Sequence, residues 1–404
     1  MNKKTLVMVA LSLSVCAAIY GSEPLAASWT ATGSMQRPRA FFAAAELPNG
    51  NILVAGGFDQ GVTFADSEIY DWHTGLWTVT ASMIKARSAP VAVQLENGRV
   101  MVIGGLDGDG TILDTAEIYD PRANTWSLTQ PMHDARFEDF VVVWLPGRKV
   151  LVAGGSNGSL KSAEIFDEKS GTWSMTNPMN IGRGEFANVQ LNDGRVLVMG
   201  GTTQDLPESP TATAEIFDPK TRQWTFTGSM TTGREDHVAV VLRDGRVLVA
   251  GGTVSDDSPR FTSADIFDPK TGTWSKTGSM NVGRSEIEYA GVRLPDGRVL
   301  VPGGHSAPHT ETNTADLFDP KTGTWAPTGL MNAARAGHAA RVVRGNRGVL
   351  VMGGLTSHSA ATNSVDIFQV APLPRIGVKA TSRSGHHPTS GLVIPTIKPS
   401  RKPT

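Results

Sequence analysis

A pair of adjacent glycines recurs seven times along this 404-residue chain, and no other feature restricts its fold as strongly. Successive pairs lie 46 to 52 residues apart, a period typical of solenoids and propellers. The pairs are Gly56-Gly57, Gly104-Gly105, Gly154-Gly155, Gly200-Gly201, Gly251-Gly252, Gly303-Gly304 and Gly353-Gly354. The spacing predicts seven copies of one supersecondary unit.

Three further signals keep the register of the glycine pairs. A Met-x3-Arg motif precedes each pair, with the arginines at Arg39, Arg87, Arg136, Arg183, Arg234, Arg284 and Arg335. An acidic residue two positions before an aromatic follows each pair, at Glu68, Glu117, Glu164, Glu215, Asp265, Asp316 and Asp366. A third series consists of Trp29, Trp77, Trp126, Trp173, Trp224, Trp274 and Trp325.

Each unit divides into four short strands by its apolar runs and turn residues. In the fifth unit, residues 238–242 and 247–250 are apolar and are joined by the hairpin signal Asp244-Gly245. Residues 264–268 and 274–278 supply two more strands around a Pro-containing turn. One such sheet cannot bury both of its faces, so the copies are expected to stack radially around an axis. This arrangement is a β-propeller.

The Gly-Gly pair, the aromatic-Asp-Pro turn and the following Trp resemble the kelch motif, and the likeness covers residues 29–368. The resemblance implies an all-β, seven-bladed kelch propeller. The seventh unit ends at Gln369 without a Trp strand, whereas Trp29 precedes the first unit. Residues 29–35 are therefore predicted to supply the outer strand of the last blade and to close the ring.

Residues present in all seven units are interpreted first as scaffold. The tryptophans are predicted to pack between blades, and each arginine is predicted to form a structural ion pair with the carboxylate of its unit. A second interpretation comes from the resemblance, because the rim of the kelch channel often contacts ligands. Arginine there can bind an anionic group bidentately. This makes candidate ligand contacts of Arg136, Arg183, Arg234 and Arg284.

The units differ two residues after each arginine. The residues at this position are Phe41, Ala89, Glu138, Glu185, Asp236, Glu286 and Gly337, so four consecutive units are acidic. The resemblance implies that the position faces the channel, where the acids would oppose a small or apolar side. Glu288 is expected on the same strand face as Glu286. These carboxylates either pair with the neighbouring arginines or bind a cation or polyol ligand.

The sequence does not predict a metal site or another cofactor. Clustered carboxylates suit Ca²⁺, but the chain has no dedicated calcium loop, and the run Asp107-Gly108-Asp109-Gly110 is a weak signal alone. His305 and His309 lie four residues apart in a loop that contains Pro308, where helical spacing does not bring imidazoles together.

The two ends of the chain differ from the repeats. Residues 1–27 combine Lys3 and Lys4 with an apolar run and are predicted to be a signal peptide. The protein is therefore expected to be secreted or periplasmic, and a lipobox-like sequence before Cys16 offers lipid anchoring as an alternative. No later segment is apolar enough to predict a transmembrane helix.

Residues 371–404 carry six Lys or Arg and no acid, with many Pro and Ser, and are predicted to be a disordered basic tail. Residues 28–370 carry 29 basic and 37 acidic residues, so the predicted propeller is acidic. Nucleic acid is therefore not expected as a partner, whereas the tail could contact an anionic surface. A monomer is expected.

Among kelch proteins, the resemblance extends to copper oxidases similar to galactose oxidase, whose cofactor includes a Cys-crosslinked tyrosine. Here the only cysteine is Cys16, in the predicted leader, so this radical copper centre is excluded. The favoured hypothesis is an exported module that binds a carbohydrate or protein ligand at the channel mouth. The alternative is a mutarotase-like or oxidase-like propeller enzyme without that cofactor, which predicts a raised pKa for one channel carboxylate. No catalytic residue is assigned.

Overall fold

Seven antiparallel sheets of four strands each form the blades of the propeller. The computed structural model describes residues 28–155, 160–206, 209–346, 348–357 and 360–369. We number the blades by the order of their Met-x3-Arg motifs and give the strands from the channel outward. In all blades but the seventh, this order is also the order along the chain.

The first four blades are regular. Blade 1 contains Ala43–Glu46, Ile52–Ala55, Ser67–Asp71 and Leu76–Thr80. Blade 2 contains Val91–Gln94, Val100–Ile103, Ala116–Asp120 and Thr125–Leu128. Blade 3 contains Val141–Leu145, Lys149–Ala153, Ala163–Asp167 and Thr172–Thr176. Blade 4 contains Ala187–Gln190, Val196–Met199, Ala214–Asp218 and Gln223–Phe226.

The last three blades complete the ring. Blade 5 contains Glu235–Val241, Val247–Thr253, Ala264–Asp268 and Thr273–Lys276. Blade 6 contains Val292–Arg293, Val299–Pro302, Ala315–Asp319 and Thr324–Pro327. Blade 7 contains Ala339–Val343, Gly348–Met352, Val365–Gln369 and Ser28–Ala31. The predicted all-β, seven-bladed fold is confirmed.

Short elements connect strands within single blades. Three small hairpins follow the glycine pairs of blades 1, 6 and 7; they are Phe58–Asp59 with Val62–Thr63, His305–Ala307 with Thr310–Glu311, and Leu355–Ser357 with Ala360–Ala361. The described residues contain one helical turn, a 3-10 turn at Arg344–Asn346. Nothing helical in these ranges could cross a lipid bilayer.

The outer strand of blade 7 comes from the start of the described chain. Ser28–Ala31 pairs antiparallel with Val365–Gln369, and Trp29 lies opposite Phe368. All seven blades therefore have four strands, although the last blade combines residues from both ends of the repeat region. The predicted signal peptide, residues 1–27, and the predicted tail, residues 371–404, lie outside the described residues.

The repeated tryptophans connect neighbouring blades. Trp224 packs on Phe217 of its own blade, blade 4, with ring centroids 5.0 Å apart. Its indole N–H donates to the carbonyl of Asn177, which follows the outer strand of blade 3, at 3.0 Å. Trp274 donates in the same way to the carbonyl of Gly228, which follows the outer strand of blade 4. At the boundary the apolar ring thus packs on another aromatic ring, and the polar N–H has a hydrogen-bond acceptor. The same packing recurs for Trp29, Trp77, Trp126, Trp173 and Trp325.

The repeated arginines lie inside the blades. The guanidinium of Arg183 has no exposed surface, donates to the carbonyls of Gly200 and Thr213, and pairs with Glu215 at 3.2 Å. Six of the seven predicted ion pairs have an N–O distance within 4.0 Å. In blade 5 the hydroxyl of Thr231 binds Asp265 instead. Because each guanidinium joins the glycine pair to the third strand, it fixes the shape of its blade.

Candidate functional site

A cavity of about 490 Å³ occupies the channel at the end where the innermost strands begin. All seven residues that follow the repeated arginine by two positions line it, as the resemblance implied. They are Phe41, Ala89, Glu138, Glu185, Asp236, Glu286 and Gly337. One position that differs between the units therefore surrounds a single cavity.

The backbone at this position has the same unusual conformation in every blade. The φ angles of the seven residues lie between 49° and 58°, in the left-handed region that side chains other than glycine rarely adopt. Only blade 7 has a glycine here. The conformation is therefore a property of the repeat, and only the side chain that it presents to the cavity differs between blades.

The cavity is polarised. Glu138, Glu185, Asp236 and Glu286, here called the acidic arc, belong to the four consecutive blades 3 to 6. The opposite side is formed by Phe41, Ala89 and Gly337. The ring of Phe41 stacks on Phe58 with centroids 5.8 Å apart, and it fills the space in which a side chain at Gly337 would lie. A ligand in the cavity thus meets carboxylates on one side and an aromatic surface on the other.

Two blades contain extra residues at the cavity. In each blade an apolar residue ends, or directly follows, the innermost strand. Its distance from the repeated arginine is eight positions in five blades, nine in blade 3 and ten in blade 6. Blade 3 gains Asp139, between the left-handed residue Glu138 and the core residue Phe140. Blade 6 gains Glu288 and Tyr289 after the core residue Ile287. All three added residues line the cavity.

The extra residues change the local structure of blade 6. Glu288 was expected on a strand beside Glu286, but this segment forms a turn in which the amide of Ala290 donates to the carbonyl of Ile287 at 3.0 Å. The innermost strand begins only at Val292. Gly291 allows the turn to pack closely, since a Cβ there would lie 2.0 Å from the Val238 side chain of blade 5. The expected strand is wrong, although Glu288 still reaches the cavity.

The added residues interact across the channel. The hydroxyl of Tyr289 donates a hydrogen bond to the carboxylate of Asp139, which is only 5% exposed. Asp139, Asp236 and Glu288 each place a carboxylate oxygen within 4.8 Å of the others, and we call these three residues the carboxylate trio. Among the described residues, Glu286 Oε2 and Glu288 Oε1 are buried without a hydrogen-bond donor.

Burial and mutual repulsion raise the pKa values of the cavity acids. Burial, with repulsion from Glu185 and Glu286, raises the pKa of Glu138 to about 7. Burial raises the pKa of each residue of the carboxylate trio well above its usual range, and neighbouring carboxylates add to the effect. The cavity therefore favours cations, protons and hydrogen-bond donors, and disfavours anions.

The candidate histidine pair does not form a metal site of its own. His305 lies in the small hairpin of blade 6, where Nδ1 is 3.2 Å from Glu286, while His309 is exposed at the hairpin tip. Burial lowers the pKa of His305, but Glu286 and Glu311 raise it overall. His305 thus orients a carboxylate of the acidic arc.

The repeated arginines do not line the cavity. The four arginines predicted as ligand contacts have no exposed surface, because their guanidinium groups bind carbonyls and carboxylates inside the blades. They are Arg136, Arg183, Arg234 and Arg284. The alternative pairing of these arginines with the acidic arc is also absent among the described ion pairs. Sequence reasoning also missed Arg341, which lines the cavity and donates to the carbonyls of Ala340 and Ala44.

Comparisons with known proteins agree with this architecture. The family model described as KLHDC2/KLHL20/DRC7 Kelch-repeats domain matches residues 186–387, half of the chain, and the Kelch motif model matches residues 90–133 and 146–180. A comparison with curated proteins gives no match.

Solved structures include propellers of similar shape. A fungal alcohol oxidase of the AA5 family, in complex with copper, has 19% identity and a TM-score of 0.69 over 85% of this chain and 76% of its own. The structure of YjhT has 15% identity and a TM-score of 0.57 over 74% of this chain and 99% of its own. At these identities the similarity concerns the fold alone.

The donors around the cavity differ from those that copper prefers. They are mainly carboxylate oxygens, with the phenol of Tyr289, the amide of Asn188 and a single imidazole, that of His338. Such an oxygen-rich set suits hard cations rather than copper, which favours imidazole and sulfur ligands. The residues of this cavity therefore do not fit a copper centre.

Proposed function

The chain belongs to the kelch-repeat family, and from this premise we propose that it is an exported binding module that holds a saccharide in the acidic end of its channel. The observation that carries the proposal is the polarity of the cavity, with the acidic arc opposite the Phe41–Phe58 stack. A volume of about 490 Å³ is within the range of small-molecule sites.

Saccharides match both sides of such a cavity. Sugar hydroxyls donate hydrogen bonds, and the carboxylates of Glu185 and Asp236 are acceptors when ionised. The C–H face of a pyranose ring packs on an aromatic side chain, which Phe41 supplies. Acidic sugars would meet repulsion from the carboxylates, so we expect neutral sugars and amino sugars to bind best.

Export is supported by the sequence of residues 1–27, with Lys3 and Lys4 before an apolar run. A secreted or periplasmic protein meets free and polymeric saccharides outside the cytoplasm. We therefore expect the natural ligand to be an extracellular carbohydrate rather than a phosphorylated metabolite.

The test is a glycan array followed by calorimetry on the purified protein. Two variants remove opposite sides of the cavity: Glu185→Gln changes the acidic arc, and Phe41→Ala removes the aromatic surface. We expect each to weaken binding at least about tenfold. Asp244→Asn is the matched control, since its exposed carboxylate pairs with Arg246 in a hairpin outside the cavity.

Other outcomes would change the conclusion. Binding of a basic peptide in place of any glycan would identify a protein ligand and overturn the saccharide proposal. Binding that both cavity variants retain would place the ligand elsewhere on the propeller.

A second candidate is a carbohydrate-acting enzyme, which is favoured by the pKa of about 7 of Glu138. Proton NMR of the bound sugar over several hours would detect conversion of its anomers or oxidation. Turnover that Glu138→Gln abolishes without loss of binding would replace the binding role with this one.

A further inference from the structure

The carboxylate trio brings together side chains from three blades. Asp139 is the extra residue of blade 3, Asp236 is the left-handed residue of blade 5, and Glu288 belongs to the extra turn of blade 6. One oxygen of each lies within 4.8 Å of the others. None of the three has an ion-pair partner among the described residues, because the nearby arginines bind other carboxylates and carbonyls.

A second observation points to a missing partner. Glu288 Oε1 is enclosed by protein yet accepts no hydrogen bond from the described residues, and Glu286 Oε2 two positions earlier is in the same state. Leaving buried carboxylate oxygens without a donor is costly, so such atoms normally have a donor, a water molecule or a cation. Asp139 is better satisfied, because Tyr289 donates to it.

We propose that the channel holds one calcium ion, coordinated by Asp139, Asp236 and Glu288. The proposal does not depend on saccharide binding. Oxygen ligands lie about 2.3 to 2.6 Å from Ca²⁺, so two ligands of one ion can be about 5 Å apart, and the trio meets this limit. Magnesium demands octahedral geometry with bonds of about 2.0 to 2.1 Å and usually keeps several waters, so three converging carboxylates suit it less well than calcium.

The ion would connect blades that do not pack against each other as neighbours in the ring. Apolar clusters between neighbouring sheets join each blade to the next. The trio joins blade 3 to blades 5 and 6 across the channel. Bound calcium would also neutralise charge next to the acidic arc and leave coordination positions for water.

The experiment is calorimetric titration of the purified, EDTA-treated chain with CaCl₂ and, separately, MgCl₂ at constant ionic strength. We expect one calcium per chain, bound at least about tenfold more tightly than magnesium. Glu288→Gln and Asp139→Asn should each weaken calcium binding at least about tenfold. Glu185→Gln is the control, because it removes a carboxylate of the same cavity outside the trio, and it should change affinity less than about threefold.

Terbium luminescence provides an independent readout. Tb³⁺ replaces Ca²⁺ at oxygen sites, and Tyr289 beside Asp139 is placed to sensitise its emission. Emission should be displaced by Ca²⁺, lost in Glu288→Gln, and reduced in Tyr289→Phe. Calorimetry of Tyr289→Phe with CaCl₂ separates loss of the sensitiser from weaker ion binding, since Tyr289 also donates to Asp139. Thermal melts of each variant verify that it is folded.

Three results would overturn the proposal. The first is a wild type without saturable calcium binding. The second is folded Glu288→Gln that binds calcium as tightly as the wild type, and the third is magnesium binding as tight as that of calcium. A wild-type protein that binds calcium but no glycan would reject the proposed function and leave the calcium site standing.

Discussion

The indole N–H of Trp29 donates a hydrogen bond to the hydroxyl of Thr328 at 3.0 Å, although the two residues are 299 positions apart. Trp29 lies in the outer strand of blade 7, and Thr328 follows the outer strand of blade 6. The start of the repeat region is therefore built into a boundary between its last two blades. Because the strand that carries Trp29 also covers the edge of blade 7, it contributes to both pairing and packing.

Deleting residues 28–36 should open the ring. The variant would lose the fourth strand of blade 7 and the indole contact with blade 6, so we expect a lower and broader thermal transition by calorimetry. Trp29→Phe keeps the apolar ring and should cost only about 1 kcal/mol of unfolding free energy through the lost hydrogen bond. A truncated protein that melts like the wild type would mean that blade 7 is stable with three strands.

Replacing a repeated arginine should damage stability rather than recognition. Arg183→Ala leaves Glu215 buried without its partner, and we expect a loss of about 3 to 5 kcal/mol in denaturant unfolding. Arg246→Ala is the control, since Arg246 is exposed and pairs with the exposed Asp244. Its effect should be within about 0.5 kcal/mol. An Arg183→Ala protein of normal stability that fails to bind ligand would show that the repeated arginines contribute to ligand binding.

The pH dependence of stability should report the buried acids. The folded-state pKa of Glu138 is about 7, above its ordinary value of 4.5, so the folded protein binds more protons than the unfolded chain between these values. The contribution of Glu138 is fully present below pH 4.5 and is lost as the pH rises through 7. Glu138→Gln should therefore match the wild type near pH 4.5 and exceed its stability by about 1 to 2 kcal/mol at pH 8.

The control for this titration is Asp244→Asn, whose difference from the wild type should stay constant between pH 5 and pH 8. Burial raises the pKa of Asp244, but hydrogen bonds from Arg246 outweigh burial and lower the pKa overall. Asp244 therefore titrates below this pH window. Guanidinium unfolding at each pH measures both variants. If the Glu138→Gln curve parallels that of the wild type throughout, the cavity acids do not govern the pH profile.

Substituting Gly337 should disturb the apolar side of the cavity. A Cβ at this position would lie 2.6 Å from the Phe41 ring, so Gly337→Ala should displace Phe41 and weaken saccharide binding. Gly110→Ala is the control, because Gly110 also has a positive φ but nothing lies within 4 Å of its added Cβ. Both variants should lose about 1 kcal/mol from backbone strain, whereas only Gly337→Ala should lose affinity. Equal saccharide affinities of the two variants would show that Phe41 does not contribute to the binding site.

The repeat explains why so much of the fold could be predicted. Glycine pairs, arginines and tryptophans occur in register in all units, and each has one structural role that depends only on its own blade and its neighbour. The acidic arc could be found as well, since Glu138 and Glu185 differ from Phe41 at one equivalent position. Its strained backbone could not, because a left-handed conformation at an acidic residue has no composition signal.

The carboxylate trio was harder to predict than the acidic arc. Strand alternation predicts Glu288 beside Glu286, but the two additional residues of blade 6 convert this segment into a turn. Asp139 is likewise an additional residue of blade 3, outside the position that the repeat makes comparable between units. The signal was the distance from the repeated arginine to the end of the innermost strand. Which carboxylates then meet depends on the curvature of the ring, which no single unit encodes.

The length changes in blades 3 and 6 are absorbed before their second strands begin. In both blades, the second, third and outer strands keep the pairing seen in the other units. One or two residues can thus be gained or lost at the channel while the boundaries between blades stay intact. A lineage with this architecture can acquire or abandon a ligand through short insertions, and its descendants would differ in recognition long before they differ in shape.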